Sequence, residues 1–317
     1  MALGTNHVTL TSAATFVPEI WSDEVIAAYT KSKVMANLVR KMPMKGKKGD
    51  TIHIPKPVRG NASVKAAETQ VTLIANVESE VVVTVDRHFE YSRLIEDIVG
   101  VQALNSLRRF YTQDAGEALA IRVDTDLLAL GTALGNGTLA DATLAASWQH
   151  NRAFTFSATG LTVYDGDVAA TGEDFTDAGF RKAIQTLDDA DVPMSERYFV
   201  IPPLLRNVLM GTARYTEQAF VGENGSANTI RNGRVGNLYG IEVYISTNLP
   251  TITELTGTAR PALLFNREAF VLAEQMGVRT QTQYKQEWLA DLMTADMLYG
   301  RKTVRPENGV ALIVNNA

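Results

Sequence analysis

Apolar positions recur at helical spacing between Asp97 and Leu134, the longest periodic stretch of the chain. Val101, Leu104, Leu107, Tyr111, Ala115 and Ala118 form one stripe, which shifts by one residue to Leu119, Val123, Leu127, Leu130 and Leu134. Steps of three and four mark a single buried helix face. Asn105, Arg108, Arg109, Gln113, Glu117, Arg122 and Asp126 fall between them and predict a solvated opposite face. No proline interrupts the run. As one helix it would extend roughly 55 Å at about 1.5 Å per residue. A helix of that length more often acts as a strut than as the wall of an active site.

Upstream, the period changes to two. Ile52 and Ile54 alternate with polar residues before Pro55 and Pro57, which predicts a strand over residues 51–58. From Glu80 to Ser92, Val81, Val83, Val85, Phe89 and Tyr91 share one face, and Glu80, Thr84, Asp86, His88 and Glu90 the other. A small, polar stretch, residues 59–77, joins the two and completes a long hairpin. A two-stranded hairpin is marginal alone in water, so its apolar face needs a partner surface.

Residues 1–17 are small and polar and read as an extended arm. Pro18 then opens a short helix with Glu19, Asp23 and Glu24 in its first turns and Trp21 on its apolar side. A second apolar segment covers residues 34–39.

Beyond Leu134, residues 135–173 are rich in Gly, Ala, Thr and Asp and predict an insertion or loop. It carries a small hairpin at Phe154–Phe156 and Leu161–Tyr164. A helix over 174–190, a strand at Arg197–Ile201 and a helix opened by Pro202-Pro203 follow. Then come a mobile loop over 222–237 and a turn and strand at Leu238–Ser246. Further strands are expected at Leu263–Phe265, Phe270–Ala273 and Val278–Tyr284, then a short helix over Trp288–Leu298 and a last strand at Gly309–Val314. The C-terminal half is mixed α+β.

Composition narrows the function. The chain has 317 residues, 45% of them hydrophobic and 21% charged, enough for one large core or two domains. Without cysteine, disulfides, thiolate ligands and cysteine nucleophiles are excluded. The N-terminus lacks the basic and apolar regions of a signal peptide. No apolar run approaches the roughly 18–20 residues that cross a bilayer. A net charge of −5 argues against a sequence-specific DNA binder.

No catalytic constellation emerges. The histidines, His7, His53, His88 and His150, have no partner at metal-ligand spacing. Asp165-Gly166-Asp167 opens like a calcium loop, but Ala169 stands where Asp or Asn is required. Asp188, Asp189 and Asp191 precede Pro193 and read as a helix end and turn. The run from Arg40 to Asp50 holds five basic residues and two glycines. It lacks the Gly-Lys-Ser/Thr of a phosphate loop and reads as a solvated turn before a strand. These features imply no catalytic residue, cofactor or metal.

Four stretches carry a resemblance: Phe16-Val17-Pro18-Glu19-Ile20-Trp21 through Ala36-Asn37-Leu38-Val39, Lys48-Gly49-Asp50-Thr51-Ile52-His53-Ile54-Pro55, Gly236-Asn237-Leu238-Tyr239-Gly240-Ile241-Glu242-Val243, and Tyr299-Gly300-Arg301-Lys302-Thr303-Val304-Arg305-Pro306-Glu307. In this order they resemble the N-arm, extended E-loop, axial-domain turn and C-terminal strand of tailed-bacteriophage major capsid proteins of the Hong Kong 97 fold. The resemblance implies an α+β fold with an N-terminal arm (1–42), an extended hairpin or E-loop (43–93) and a spine helix of the peripheral domain (94–134). An insertion or loop region (135–173) and the axial domain with the remaining peripheral strands (174–317) would complete it.

It also implies a shell subunit forming hexamers and pentamers of an icosahedral head around double-stranded DNA, which it contacts non-specifically. Other expected partners are a scaffolding protein and a portal during assembly and a decoration protein, with no membrane. The expected location is the virion, with assembly in the bacterial host cytoplasm. An encapsulin-type shell shares this fold and stays open as an alternative, as does a soluble α+β enzyme. The expected inter-subunit contacts are Trp21, the basic residues Lys45, Lys47 and Lys48, and the hairpin face of Val81, Val83, Val85 and Phe89.

Overall fold

The computed structural model describes residues 31, 33–44, 49–57, 60–71, 73, 78–97, 106–135, 148–157, 160–166, 175–212, 236–253 and 257–315. The expected arm helix with Trp21, the basic residues Lys45, Lys47 and Lys48, and all but the last two residues of the 222–237 loop lie outside them.

Three sheets organise the described chain. A four-stranded sheet has the order β1 (Arg40–Pro43), β12 (Phe270–Lys285), β13 (Ala290–Thr303), β4 (Arg87–Glu96). A two-stranded hairpin pairs β2 (Thr51–Pro57) with β3 (Glu78–Thr84). The largest sheet runs β6 (Gly160–Val163), β5 (Ala153–Ser157), β14 (Gly309–Asn315), β11 (Thr258–Asn266), β7 (Arg197–Ile201), β9 (Ile241–Ile245), β8 (Asn237–Leu238). β10 (Ile252–Thr253) lies on β11. Among the described residues four helices accompany them: α1 (Met35–Leu38), α2 (Ser106–Leu128), α3 (Asp177–Asp188) and α4 (Pro203–Gly211).

The largest sheet is buried on both faces, which explains its near-continuous apolar strands. Val200, Leu263, Phe265, Ala311 and Ile313 pack into a core shared with α2 and Trp148. Their neighbours Phe199, Ile201, Leu264, Leu312 and Val314 join Phe180, Leu187, Leu205 and Leu209 of α3 and α4 in a second core. The first core also takes Phe270 and Leu272 from β12 and Met293, Ala295, Met297 and Tyr299 from β13. The long helix therefore joins both large sheets.

Its buried line is Ala115, Leu119, Val123 and Leu127, the expected stripe. Three expectations change around it. Residues 94–96 belong to β4, and the described helix begins at Ser106; the interval 98–105 lies outside the described residues. The helix ends in a 3-10 turn over Ala129–Ala133. Asp126, placed on the solvated face by periodicity, is buried: Tyr299 donates to its carboxylate at 3.0 Å and Arg301 to its backbone carbonyl at 2.6 Å. Asp124 is buried too, and accepts from the backbone amides of Val34 and Met35 and from the Asn248 amide. One carboxylate thereby ties the start of α1 to α2.

The short helix expected over Trp288–Leu298 is strand β13 apart from its first two residues. The Leu- and Met-rich sequence has helix propensity, but from Ala290 to Tyr299 β13 lies between β12 on one side and β4 on the other. Two ladders outweigh a weak local preference. Phe270–Ala273 and Val278–Tyr284 are one strand broken by register shifts. The small hairpin of residues 153–163 forms as expected and joins β14 in parallel.

Candidate assembly surfaces

The run Glu80–Ser92 alternates as expected, but it divides between two sheets. It leaves the hairpin at Thr84, passes Val85 and Asp86, and enters the four-stranded sheet at Arg87. Gly300 makes this crossing fit. A Cβ there would collide with the Thr84 carbonyl oxygen and approach the Val85 Cα to 2.9 Å. Gly49, at φ +132, starts the hairpin in a conformation that favours glycine. The Val85 amide donates to the Asp50 carbonyl at 2.7 Å and Gln275 donates to the Gly49 carbonyl at 2.9 Å, tying the base to the body.

The hairpin's apolar base is covered by its own chain. Val83 and Val85 are buried with Met44 and Ala273, and Ile52, Ile54 and Leu298 pack around them. Phe89 packs on the first core, 5.9 Å from the Tyr299 ring, with the Arg122 guanidinium 4.8 Å above it. The expectation that Val83 and Val85 await a neighbouring subunit is therefore corrected, whereas Phe89 is only half-buried. Alternation identified an inward face, but not which body it faces. Val81 is half-buried at the outer end of this cluster.

Further out, cover ends. The described residues of 60–73 are all exposed; Val64 has 101%, Leu73 88% and Val71 61% of its surface free. A hydrogen bond between His53 and Glu80 at 2.9 Å and an ion pair of Lys56 with Glu307 at 3.7 Å flank the strands. Sequence reading missed these apolar tip residues because they are isolated among small polar ones, with no period to mark them. An exposed apolar pair, Trp288 and Leu289, caps the β12–β13 turn.

The remaining charged groups hold the scaffold. Asp296 takes two hydrogen bonds from Arg279, at 2.7 and 2.9 Å, and lies 3.1 Å from the His88 ring. The guanidinium, then the imidazole, hold its carboxyl below the usual range. Burial beside Asp126 raises the Tyr299 hydroxyl and keeps it protonated. His150 is buried, and burial pushes its pKa down to about 4 against an opposing pull from the Gly131 backbone. Among the described residues no group of acidic or histidine side chains is placed to hold a metal ion. Among the described residues no helix is long and apolar enough to cross a membrane.

A hairpin that leaves the body with its tip bare, a long helix joining two sheets and a doubly covered C-terminal sheet form one architecture. Residues 14–314 match the family described as phage capsid protein. The chain belongs to the phage capsid protein family.

Solved structures agree over nearly its whole length. A chain from Mycobacterium phage Che8 is 25% identical, with a TM-score of 0.71 over 94% of this chain and 97% of that one. The capsid structure of cyanophage P-SCSP1u superposes with a TM-score of 0.74 at 20% identity, over 99% of this chain and 97% of that one. That of cyanophage Pam1 does so with a TM-score of 0.74 at 14% identity, over 99% and 100%. No curated protein matches the sequence. This capsid protein has the Hong Kong 97-type α+β fold and is a structural major capsid subunit, assembling with copies of itself into the shell of the virion. The match favours a phage head over the encapsulin and enzyme alternatives.

Proposed function

We propose that this capsid protein forms the hexamers and pentamers of an icosahedral head that encloses double-stranded DNA, and that its role is structural, without turnover. A scaffolding protein and a portal act during assembly in the bacterial host cytoplasm, and a decoration protein joins the finished surface. The observation that carries this reading is the hairpin: its base is anchored in the body, while Val64, Val71 and Leu73 stand bare at its far end. Apolar surface is stabilised by about 25 cal/mol for each Å² removed from water, so a neighbouring subunit that covers the tip contributes to cohesion.

Within the shell, residues 1–42 act as the arm, 43–93 as the extended hairpin, and 94–134 as the spine segment, whose start the β4 pairing displaces. Residues 174–317 supply the axial domain and the remaining peripheral strands, with 135–173 inserted between. Trp21 and the basic residues Lys45, Lys47 and Lys48 contact adjacent subunits, with Val81 at the rim of the hairpin contact. Sedimentation and negative-stain microscopy of the purified full chain, alone and with its scaffolding protein, test the proposal. Closed megadalton particles are expected. A chain that stays monomeric under every near-physiological condition, scaffold included, overturns it.

A further inference from the structure

The free edges of the described sheets are not equivalent. β1 is an edge strand, and the bond from the Met44 amide to the Glu274 carbonyl fixes which of its residues face β12. Lys41 and Pro43 occupy the outward positions. On β2, the bond from the Val85 amide to the Asp50 carbonyl turns Thr51, His53, Pro55 and Pro57 outward. Proline has no amide hydrogen to offer a new strand, and lysine at an edge discourages one. Beyond β1, two register shifts in the β12–β13 ladder bend β12 between Glu274 and Arg279, so its regular outer edge is confined to the seven residues Arg279–Lys285, against the ten of β4. β6 and β8 are short. The open edge of β3 ends where the Thr84 carbonyl lies against Gly300.

β4 carries none of these devices. Its ten residues contain no proline and no lysine, and its register with β13 is unbroken from Arg87 to Glu96. The Asp97 amide donates to the Leu289 carbonyl at 3.0 Å, so the odd-numbered positions turn their backbone toward β13. The amides and carbonyls of His88, Glu90, Ser92, Leu94 and Glu96 therefore face outward, and all five residues are exposed. Such a row is a template for strand addition.

We propose that the outer edge of β4 accepts a strand from a second copy of this chain, extending the four-stranded sheet across the subunit boundary. This rests on the shell reading, because a capsid presents copies of this chain as neighbours at high local concentration. Main-chain hydrogen bonds give such a contact affinity without a dedicated pocket, so it tolerates the different angles between neighbours in a closed shell.

The test uses the full chain, unassembled and as scaffold-free shells. In hydrogen exchange, the amides of Glu90, Ser92 and Leu94 exchange fast in the subunit and slowly in the shell. The variant Ser92→Pro removes one outward amide without touching the β13 ladder, so its melting temperature stays at the wild-type value. Particle yield falls by more than about tenfold, since each backbone bond lost counts in every subunit. Ser92→Ala keeps the amide and assembles normally.

Amides already slow in the isolated subunit would place one of its own segments on the edge and overturn the proposal. Amides still fast in scaffold-free shells, or a wild-type yield from Ser92→Pro, overturn it and leave the shell reading intact. If Ser92→Pro unfolds, the exchange measurement still decides. A wild-type chain that never assembles overturns both.

Discussion

Single atoms decide the fit at Gly300, where the hairpin crosses β13. Adding one methyl group sets it against backbone, which cannot turn away as a side chain can. Gly300→Ala is expected to cost about 1–3 kcal/mol, the usual range for overpacking, measured by the denaturant midpoint of the unassembled subunit. Particle yield should fall as well, because the hairpin is displaced at its base. His150 gives a second residue-scale expectation. Its ring ionises near the ordinary value of 6.5 when the chain is unfolded but only at about 4 in the fold. Between those values the unfolded chain binds more protons, so stability is lost as pH falls from about 6.5 and levels off near 4. The loss is at most about 3 kcal/mol. His150→Leu should flatten the stability profile across that window, and an unchanged slope would show that other groups set it.

At the scale of elements, the hairpin divides into a covered base and a bare tip, and the two parts respond differently to charge. Val83 is fully buried among residues of its own chain. Val83→Asp therefore destabilises the unassembled subunit, by about 3 kcal/mol or more, through a buried unpaired carboxylate. Val64 is fully exposed, so Val64→Asp leaves subunit stability within about 0.5 kcal/mol of wild type. On the assembly reading it still lowers particle yield. Thermal melting and sedimentation on the same preparations separate the two. A normal yield from Val64→Asp would remove the tip from the interface.

For the whole molecule, the balance of charge is the lever. The chain carries a net charge of −5, yet Lys45, Lys47 and Lys48 concentrate positive charge in the sequence just before the hairpin. An exposed ion pair contributes only about 0–1 kcal/mol, but a shell repeats it in every subunit. Replacing all three with Glu should slow assembly and make its rate depend on salt differently from wild type, as light scattering across a salt series would show. Identical kinetics at every salt concentration would mean that the turn is only solvated.

Local pattern was enough for much of this architecture. The stripe Ala115, Leu119, Val123, Leu127 requires a helix buried on one side. Alternation at Ile52, Ile54, Val81 and Val83 requires paired strands, and Pro202-Pro203 requires a helix start. These depend on neighbours a few residues away, and the sequence contains those neighbours. The ordered set of short motifs was likewise enough to point to the capsid family.

What only the tertiary structure decided involves partners far along the chain. Asp126 lies on a polar helix face by spacing, and Tyr299 and Arg301, more than 170 positions away, make it a buried carboxylate. Residues 290–298 read as a helix until two strands bracket them. The inward face of Val83 and Val85 was legible, but the surface that covers it comes from Met44 and Ala273. Periodicity states that a face is buried; only long-range packing states against what, because the free energy of burial depends on area and not on the sequence distance of the covering atoms.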